Sequence, residues 1–215
     1  MATQFERLKN RDTFKYSLIS GAEFVGKYGL PKLPGIGAVP GKLIPFNMAM
    51  SAGDISDSWI HFFIDDYQFE RVWKYPMRYI DVFCRAKGII APDYSMYIGM
   101  SQAQIIWNCY RSRALAYWYG KNGVPVIPVV EWSEYSDLDW CIDGIPKFST
   151  IAIGTYGSNR NAASRYALLK GIERICCDVS PSTLLVYGNE MREIQSLCKN
   201  VVFKENYCQT MKKRL

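Results

Sequence analysis

A chain of 215 residues, 49% hydrophobic and 21% charged, has the size and composition of one folded domain with a sizeable core, which excludes a disordered protein. Gly 16 and Pro 10 exclude collagen-like and low-complexity sequences. The net charge of +6 favours an anionic partner: a phosphate, a nucleotide or nucleic acid. No apolar run approaches the roughly 18 residues of a membrane span, and the opening MATQFERLKNRDTF is too polar for a signal peptide. A cytoplasmic protein with no membrane partner is therefore expected. Aromatics reach 14%, with Tyr 15 and Trp 6; side chains with an apolar face and a polar tip often line pockets or interfaces.

Cys84, Cys109, Cys141, Cys176, Cys177, Cys198 and Cys208 form an odd set without a CxxC pair, and His61 is the single histidine. This pattern fits reduced, mostly buried thiols and disfavours a zinc site. One histidine also removes most Ser/His/Asp and Cys/His nucleophile schemes.

In chain order, residues 1–25 alternate charge and aromatic side chains, as a short helix or arm would. Residues 26–45 read GKYGLPKLPGIGAVPGKLIP, a density of breakers that predicts an ordered loop or linker. An N-terminal arm and Gly/Pro-rich linker over 1–41 is thus expected to precede a single α/β domain over 42–215. Residues 43–46 read as a first strand, and 59–64 (WIHFFI) as a continuous apolar strand ending in Asp65, Asp66 and Tyr67. A helix is predicted over 70–86, then a short strand at 88–92 ending in Asp93 and Tyr94. The clearest helix starts at the capping box Ser101-x-x-Gln104, with Ala103, Ile106, Trp107, Tyr110, Ala114, Tyr117 and Trp118 on one apolar face. Residues 124–130 (VPVIPVV) form the next strand, ending in Glu131 and Trp132; Pro125 and Pro128 lack amide donors, which weakens its ladder. After a long polar segment come a strand at 150–153, a helix at 159–176, a strand at 183–186, a helix at 190–198 and a strand at 201–203.

Continuous apolar strands alternating with helices specify an α/β protein with a parallel sheet. The number of strand–helix steps and the lack of a GxGxxG after any strand predict a small or incomplete (β/α) barrel-like sheet, with an open doubly wound sheet as the alternative.

The blocks HFFIDDYQFERVW, APDYSMY, YRSRALAYW and VIPVVEW, followed by TIAIGTYG, resemble an uncharacterised domain-of-unknown-function family found in bacteria, their phages and mobile elements. The resemblance covers residues 42–190. It implies a viral or mobile-element origin and a cytoplasmic location, that of the host cell if viral, and transfers no catalytic residue.

Ligands in parallel α/β proteins bind beyond the carboxyl ends of the strands. Asp66 with Tyr67, Asp93 with Tyr94, and Glu131 with Trp132 place a carboxylate–aromatic pair at three such ends. Three clustered carboxylates can hold Mg²⁺ or Mn²⁺, act as acid and base, or accept hydrogen bonds from sugar hydroxyls or base edges. As bland alternatives, Asp65 or Asp93 caps a turn and Asp66 pairs with Arg71 or Arg78. Tyr156, Gly157, Ser158, Asn159 and Arg160 lie between a strand and a helix start, where backbone amides favour an anion; Ser158 or Asn159 also suits an ordinary N-cap. Tyr187 and Gly188 repeat the arrangement one strand later. Arg111 and Arg113, two apart on a helix, cannot share one face, so one is expected to pair inward with a carboxylate and the other to be solvated. His61 reads as a satisfied buried histidine.

The leading expectation is a pocket for a phosphorylated, nucleotide-like small molecule. Tyr67, Tyr94, Trp132, Tyr156 and Tyr187 would wall the base, the carboxylates would read its donors, and the Gly157 and Gly188 loops would hold phosphate. In a phage-type protein such a pocket would sequester or degrade a host nucleotide signal, a form of host defence evasion. Two alternatives stand beside it. One is a metal-dependent phosphodiesterase or nuclease with Asp66, Asp93 and Glu131 as ligands of Mg²⁺ or Mn²⁺. The other is a non-enzymatic protein that binds a host protein or DNA through its basic arm and tail.

Overall fold

The computed structural model describes residue 12, residues 14–155 and residues 161–205. A two-residue antiparallel hairpin, β1 (Phe24–Val25) with β2 (Leu30–Pro31), precedes the main sheet. So some regular structure does survive among the breakers of 26–45: Gly26 and Gly29 take positive φ at the turn, where glycine carries no Cβ penalty. The parallel strands follow as β3 (Lys42–Pro45), β4 (Ser58–His61), β5 (Gly88–Ile90), β6 (Val126–Ile127), β7 (Thr150–Gly154), β8 (Thr183–Tyr187) and β9 (Val201–Lys204). They pair in sequence order as a four-stranded and a three-stranded sheet.

Proline chemistry explains the seam between the two sheets. Pro125 and Pro128 give their carbonyls to Ile89 N (2.8 Å) and Ala152 N (2.8 Å), on opposite sides of the strand. Neither can donate an N–H in return, so each removes one ladder bond and regular β6 shrinks to two residues. The join to β7 survives as a parallel bridge, Val129 to Ala152, with Val130 N donating to Ala152 O at 2.9 Å.

The sheet is curled. Register puts Leu43 beside Trp59, Trp59 beside Gly88, Ile90 beside Ile127, and Ala152 beside Leu185 and Val202 through β8. These same-face side chains, drawn from every parallel strand, gather in one inner cluster. Rings from the non-adjacent β4 and β8 also touch: His61 and Tyr187 have centroids 4.6 Å apart. In a flat sheet, four strand spacings would part them by about 19 Å. The barrel stays open, because β3 and β9 do not pair among the described residues; Lys204 Nζ reaches Gly41 O across the gap at 2.8 Å. The chain therefore has an α/β fold with an unclosed, barrel-like parallel sheet.

Opposite-parity side chains face outward under helices, as the period of two requires. Ile60, Phe62 and Ile89 pack with Phe46, Phe69, Phe83 and Tyr119 on one side of the sheet. Ile151, Ile153, Leu184 and Val186 pack with Leu168, Ile172, Ile175 and Ile194 further round the same outer side. The segment before β3 closes the floor: Leu33 is buried, Ile36 N donates to Ser149 Oγ (2.7 Å), and Thr150 N donates to Ile36 O (2.7 Å). Residues 18–38 thus contribute Leu18, Ile19, Leu30 and Leu33 to the cores of the α/β unit.

The helices are α1 (Phe46–Ala49), α2 (Glu70–Lys74), α3 (Ile80–Arg85), α4 (Gln102–Lys121), α5 (Leu138–Cys141), α6 (Ala162–Asp178) and α7 (Arg192–Leu197). Two sequence expectations need correction here. The helix expected over 70–86 is broken at Pro76, which takes Tyr75 out of helical geometry (φ −136, ψ 64) and opens a 3₁₀ turn, Pro76–Tyr79, before α3. On α4, the aromatic stripe is not the buried face: Trp107 is 45% exposed, while Ile105, Asn108, Cys109, Tyr119 and the run 111–116 are buried. The helix is packed between two cores and buries arginines, so hydrophobic spacing misjudges its inner side. Half of the capping box forms. Ser101 Oγ accepts from Gln104 N, but the Gln104 side-chain oxygen takes the Ser101 hydroxyl at 2.8 Å instead of reaching a backbone amide.

Gly88 gives a direct test of the curl, because a Cβ there would stand 2.5 Å from Pro125 O and 2.5 Å from the Trp59 indole. Gly88→Ala is expected to cost about 1–3 kcal/mol, as overpacking does. Gly37→Ala, where a Cβ meets nothing within 4 Å, should be neutral or stabilising by about 0.4–1 kcal/mol. Urea denaturation at equal m-value reads both.

Candidate functional site

At the carboxyl ends of β4, β6 and β7 the inward parity brings Phe63, Glu131 and Gly154 to the mouth of the curl, and Asp93 joins them after β5, where strict alternation stops at Ile90 and Ala91, both in the inner cluster. Gly154 lets the groups approach closely there: a Cβ would stand 3.2 Å from the Phe63 ring, tighter than ordinary contact, and 3.7 Å from Asp93 Oδ2. Phe63 stacks on Tyr187 at 4.7 Å with 12° between planes, and Tyr187 lies against His61. These three rings floor the mouth.

Asp93 and Glu131 meet above that floor and share a side-chain hydrogen bond. The residues as a whole are half-buried, but Asp93 Oδ1 and Glu131 Oε1 are shut off from solvent, and neither has a hydrogen-bond partner. Loss of water raises Asp93 to about 6, and the nearby Asp66 charge adds to the rise. Glu131 is raised well above the ordinary carboxylate range, first by burial and then by repulsion from Asp93. Glu131 is the partner that keeps the proton, and its O–H donates to the Asp93 carboxylate. A proton thus offsets the crowding of like charge, where an arginine was expected.

Asp66 belongs to the same neighbourhood but turns its carboxylate to Ser95, accepting from Ser95 Oγ at 2.7 Å and Ser95 N at 3.1 Å. It pairs with neither Arg71 nor Arg78. Ser95 O accepts from Asn108 Nδ2 (2.7 Å), Asn108 Oδ1 accepts from Arg111 Nη2 (2.7 Å), and Arg111 Nη1 bonds Glu70 (2.7 Å). The Arg111 guanidinium also lies 3.8 Å from the centre of the Tyr94 ring. Arg113 donates to Val129 O (2.7 Å) and Cys141 O (2.6 Å). Both arginines are buried, contrary to the expectation of one solvated side chain, because α4 has core on either side. Neither touches the carboxyl pair. Arg113 instead holds the strand two residues before Glu131.

The aromatics expected to wall a base are otherwise engaged. Tyr67 is 79% exposed, and Tyr94 is fully buried under Arg111. Trp132 lies on α6, where a Cβ at Gly171 would come within 2.5 Å of its ring, and Tyr187 is in the floor. Gly188 gives its amide to Lys204 O at 2.9 Å, so that N–H does not serve a phosphate. Tyr156, Gly157, Ser158, Asn159 and Arg160 lie outside the described residues, as does Cys208. The six described cysteines are free thiols.

Among the described residues no three of His, Cys, Asp and Glu stand together as a metal-holding group. Asp66, given to Ser95, does not join the Asp93–Glu131 pair as a third ligand. The groove floored by Leu33, Pro34 and Ile36 is apolar and lies at the opposite ends of the strands, so it is not where the chemistry collects. Sequence reasoning missed Phe63, Ser95, Asn108 and Gly154. Phe63 and Gly154 were legible in part, standing at inward parity on assigned strands.

His61 is buried, accepts from Phe63 N at 3.3 Å through Nδ1, and is lowered to about 3 by burial. It therefore stays neutral with its proton on Nε2. Its effect on stability opposes that of the carboxyl pair. A depressed histidine lowers stability as pH falls below about 6.5. A raised carboxyl lowers it as pH climbs from the ordinary carboxylate value through the folded one. Replacing the pair with its neutral isosteres, D93N/E131Q, removes the second effect alone. The variant's stability relative to the native chain should rise between pH 4 and pH 8 by about 3 kcal/mol from Asp93 alone, at 1.36 kcal/mol per unit for its move from 3.8 to about 6, with Glu131 adding in the same direction. Chemical denaturation across that range checks it, and a difference that does not change with pH would refute the shared proton.

No helix among the described residues is long and apolar enough to cross a membrane. The family described as "Domain of unknown function (DUF4417)" matches residues 22–204, reaching beyond the blocks at 42–190 on both sides. The Gene 1 protein of Mycobacterium phage L5 is 32% identical over 187 residues, 86% of this chain and 78% of that protein. The Gene 1 protein of Mycobacterium phage D29 is 31% identical over 187 residues, 86% of this chain and 66% of that protein. No solved structure matches.

Proposed function

The chain belongs to the DUF4417 family and is a phage-type protein, and from that premise we propose that it binds a nucleotide-like small molecule at the carboxyl mouth of its curled sheet. One observation carries the reading: two half-buried carboxyl groups, Asp93 and Glu131, converge at the mouth, and the protein supplies no donor to Asp93 Oδ1 or Glu131 Oε1. Buried acceptors left unpaired cost about 1–3 kcal/mol each, so a ligand that brings donors recovers that energy on binding. The amino and imino N–H groups of a base, or the vicinal hydroxyls of a ribose, supply such donors in adjacent pairs. Kinship with phage proteins supports the setting, in which the site sequesters or degrades a host nucleotide.

The split between Glu131, which keeps its proton, and Asp93, raised to about 6, favours a second reading in which the pair turns the ligand over as general acid and base. Appearance of product separates the two readings.

The test is a thermal-shift and calorimetric series with nucleosides and their phosphates. Saturation at 100 times Kd stabilises by about 2.7 kcal/mol, which at this chain length raises the melting temperature by roughly 5–10 °C. Asp93→Asn should fold, yet bind the same compound about 10- to 100-fold more weakly, the loss of one charged hydrogen bond. A series in which no compound shifts the melting, or an Asp93→Asn protein that binds as the native chain does, overturns the proposal.

A further inference from the structure

A second constellation lies outside the mouth, on the connection between β4 and β5. A groove of about 380 Å³ there is lined by Met50, Arg71, Tyr75, Arg78, Tyr79 and Val82. Arg71 lies over two rings, 5.8 Å from the centroid of Tyr79 in the groove wall and 5.0 Å from that of Phe46 buried behind it. Those contacts hold the guanidinium at the groove and lower the entropy lost when it grips an anion. Pro76 sets the neighbouring geometry: by ending α2 it throws Tyr75 out of the helix, leaving that ring 54% exposed between Lys74 and Arg78, with Lys74 Nζ 5.8 Å from its centre.

Charge on this face is unbalanced. Arg71, Lys74, Arg78 and Arg85 are exposed, and none forms an ion pair among the described residues. Glu70, the nearest acid on α2, is taken by Arg111, and Asp81 is the acid left on α3. Lys15, whose Nζ bonds Lys74 O at 3.1 Å, adds a further cation to the rim.

We infer that this groove is a docking site for single-stranded nucleic acid, with phosphates on Arg71, Lys74 and Arg78 and an unpaired base stacked on Tyr75. The choice of partner follows from what the groove offers. An acidic peptide would use the cations and leave the Tyr75 ring, Met50 and Val82 uncovered. A duplex keeps its bases stacked on one another and has no free face for a tyrosine. A single strand uses both, since a charged backbone track and an aromatic platform are what sequence-tolerant strand binding requires. The site is separate from the carboxyl mouth.

Fluorescence anisotropy with a labelled oligothymidylate of about 16 nucleotides, on the full chain, tests it. Tyr75→Ala should weaken binding roughly 5- to 150-fold, the range for one lost stacked base. Lys74→Ala with Arg78→Ala should flatten the slope of log affinity against log salt by about 1.4, which is two single-strand phosphate contacts. Asp93→Asn should bind the oligonucleotide like the native chain. Melting curves confirm that the surface variants are folded. The inference is overturned if the native chain does not bind, or if Tyr75→Ala and the double variant bind normally, as they would if the basic tail did the work. It is also overturned if Asp93→Asn loses the oligonucleotide, or if polyglutamate or a blunt duplex competes as well as the single strand.

Discussion

His61 and Tyr187 stand on strands that do not neighbour one another, and their ring contact at 4.6 Å is what the curvature of the sheet must provide. Without it Phe63 would lose the ring it stacks on, and the Tyr187 and His61 rings would not close beneath Asp93 and Glu131, which the pairing of β5 with β6 already sets side by side. The curl is kept by inward packing of modest side chains under one large one, Trp59, which lies where a Cβ on Gly88 would be. The incomplete closure follows from the same geometry. Seven parallel strands bring the two edges close enough for a lysine to reach a carbonyl, yet not into a ladder.

The mouth is built against its own electrostatics. Two buried arginines sit on α4 near two carboxyl groups, and neither neutralises them. Arg111 lies on the Tyr94 ring next to Asp93, and Arg113 holds the carbonyl of Val129 near Glu131. Each guanidinium fixes the backbone or ring beside a carboxyl and leaves the carboxyl to its partner and to whatever enters. A fold selected for stability alone would gain by an ion pair or an apolar swap at this position, since an uncompensated buried charge costs several kcal/mol. A carboxyl pair that holds one proton and has no cation beside it, at the strand ends where parallel sheets take their ligands, is better explained by use than by packing.

Much of the fold was legible, because continuous apolar strands of the right length leave few alternatives, and all seven parallel strands lie where the apolar runs are. What escaped was set by tertiary context. Pro76 is visible in the sequence, but the apolar spacing around it continues, so pattern alone carries a helix through it. On α4 the buried face includes Arg111, Ser112 and Arg113, and no hydrophobic pattern places guanidinium groups inside until their carbonyl partners on other elements are known. At the site, strand ends identified Asp93 and Glu131, whereas the fate of Asp66 turned on Ser95, a loop residue whose amide direction the sequence does not encode. Of the carboxylate–aromatic pairs at the strand ends, Tyr94 and Trp132 pack while Tyr67 is exposed, and Asp93 and Glu131 face the mouth while Asp66 turns to Ser95.

The charge distribution gives the two proposed surfaces different selectivity. The chain as a whole is positive by six charges and draws anions towards it, with the field strongest where cations lack partners, along Arg71, Lys74 and Arg78. The mouth carries the opposite sign once Asp93 ionises, and Asp66 stands close by. A phosphate laid against that pair would meet repulsion in a poorly hydrated setting, where charges act most strongly. A nucleotide-like ligand must then enter with its uncharged, donor-bearing end first and keep its phosphate at the rim. By the same reasoning, a nucleic-acid strand is turned away from the mouth and towards the outer groove, so one basic protein can hold a small ligand and a strand without the two competing.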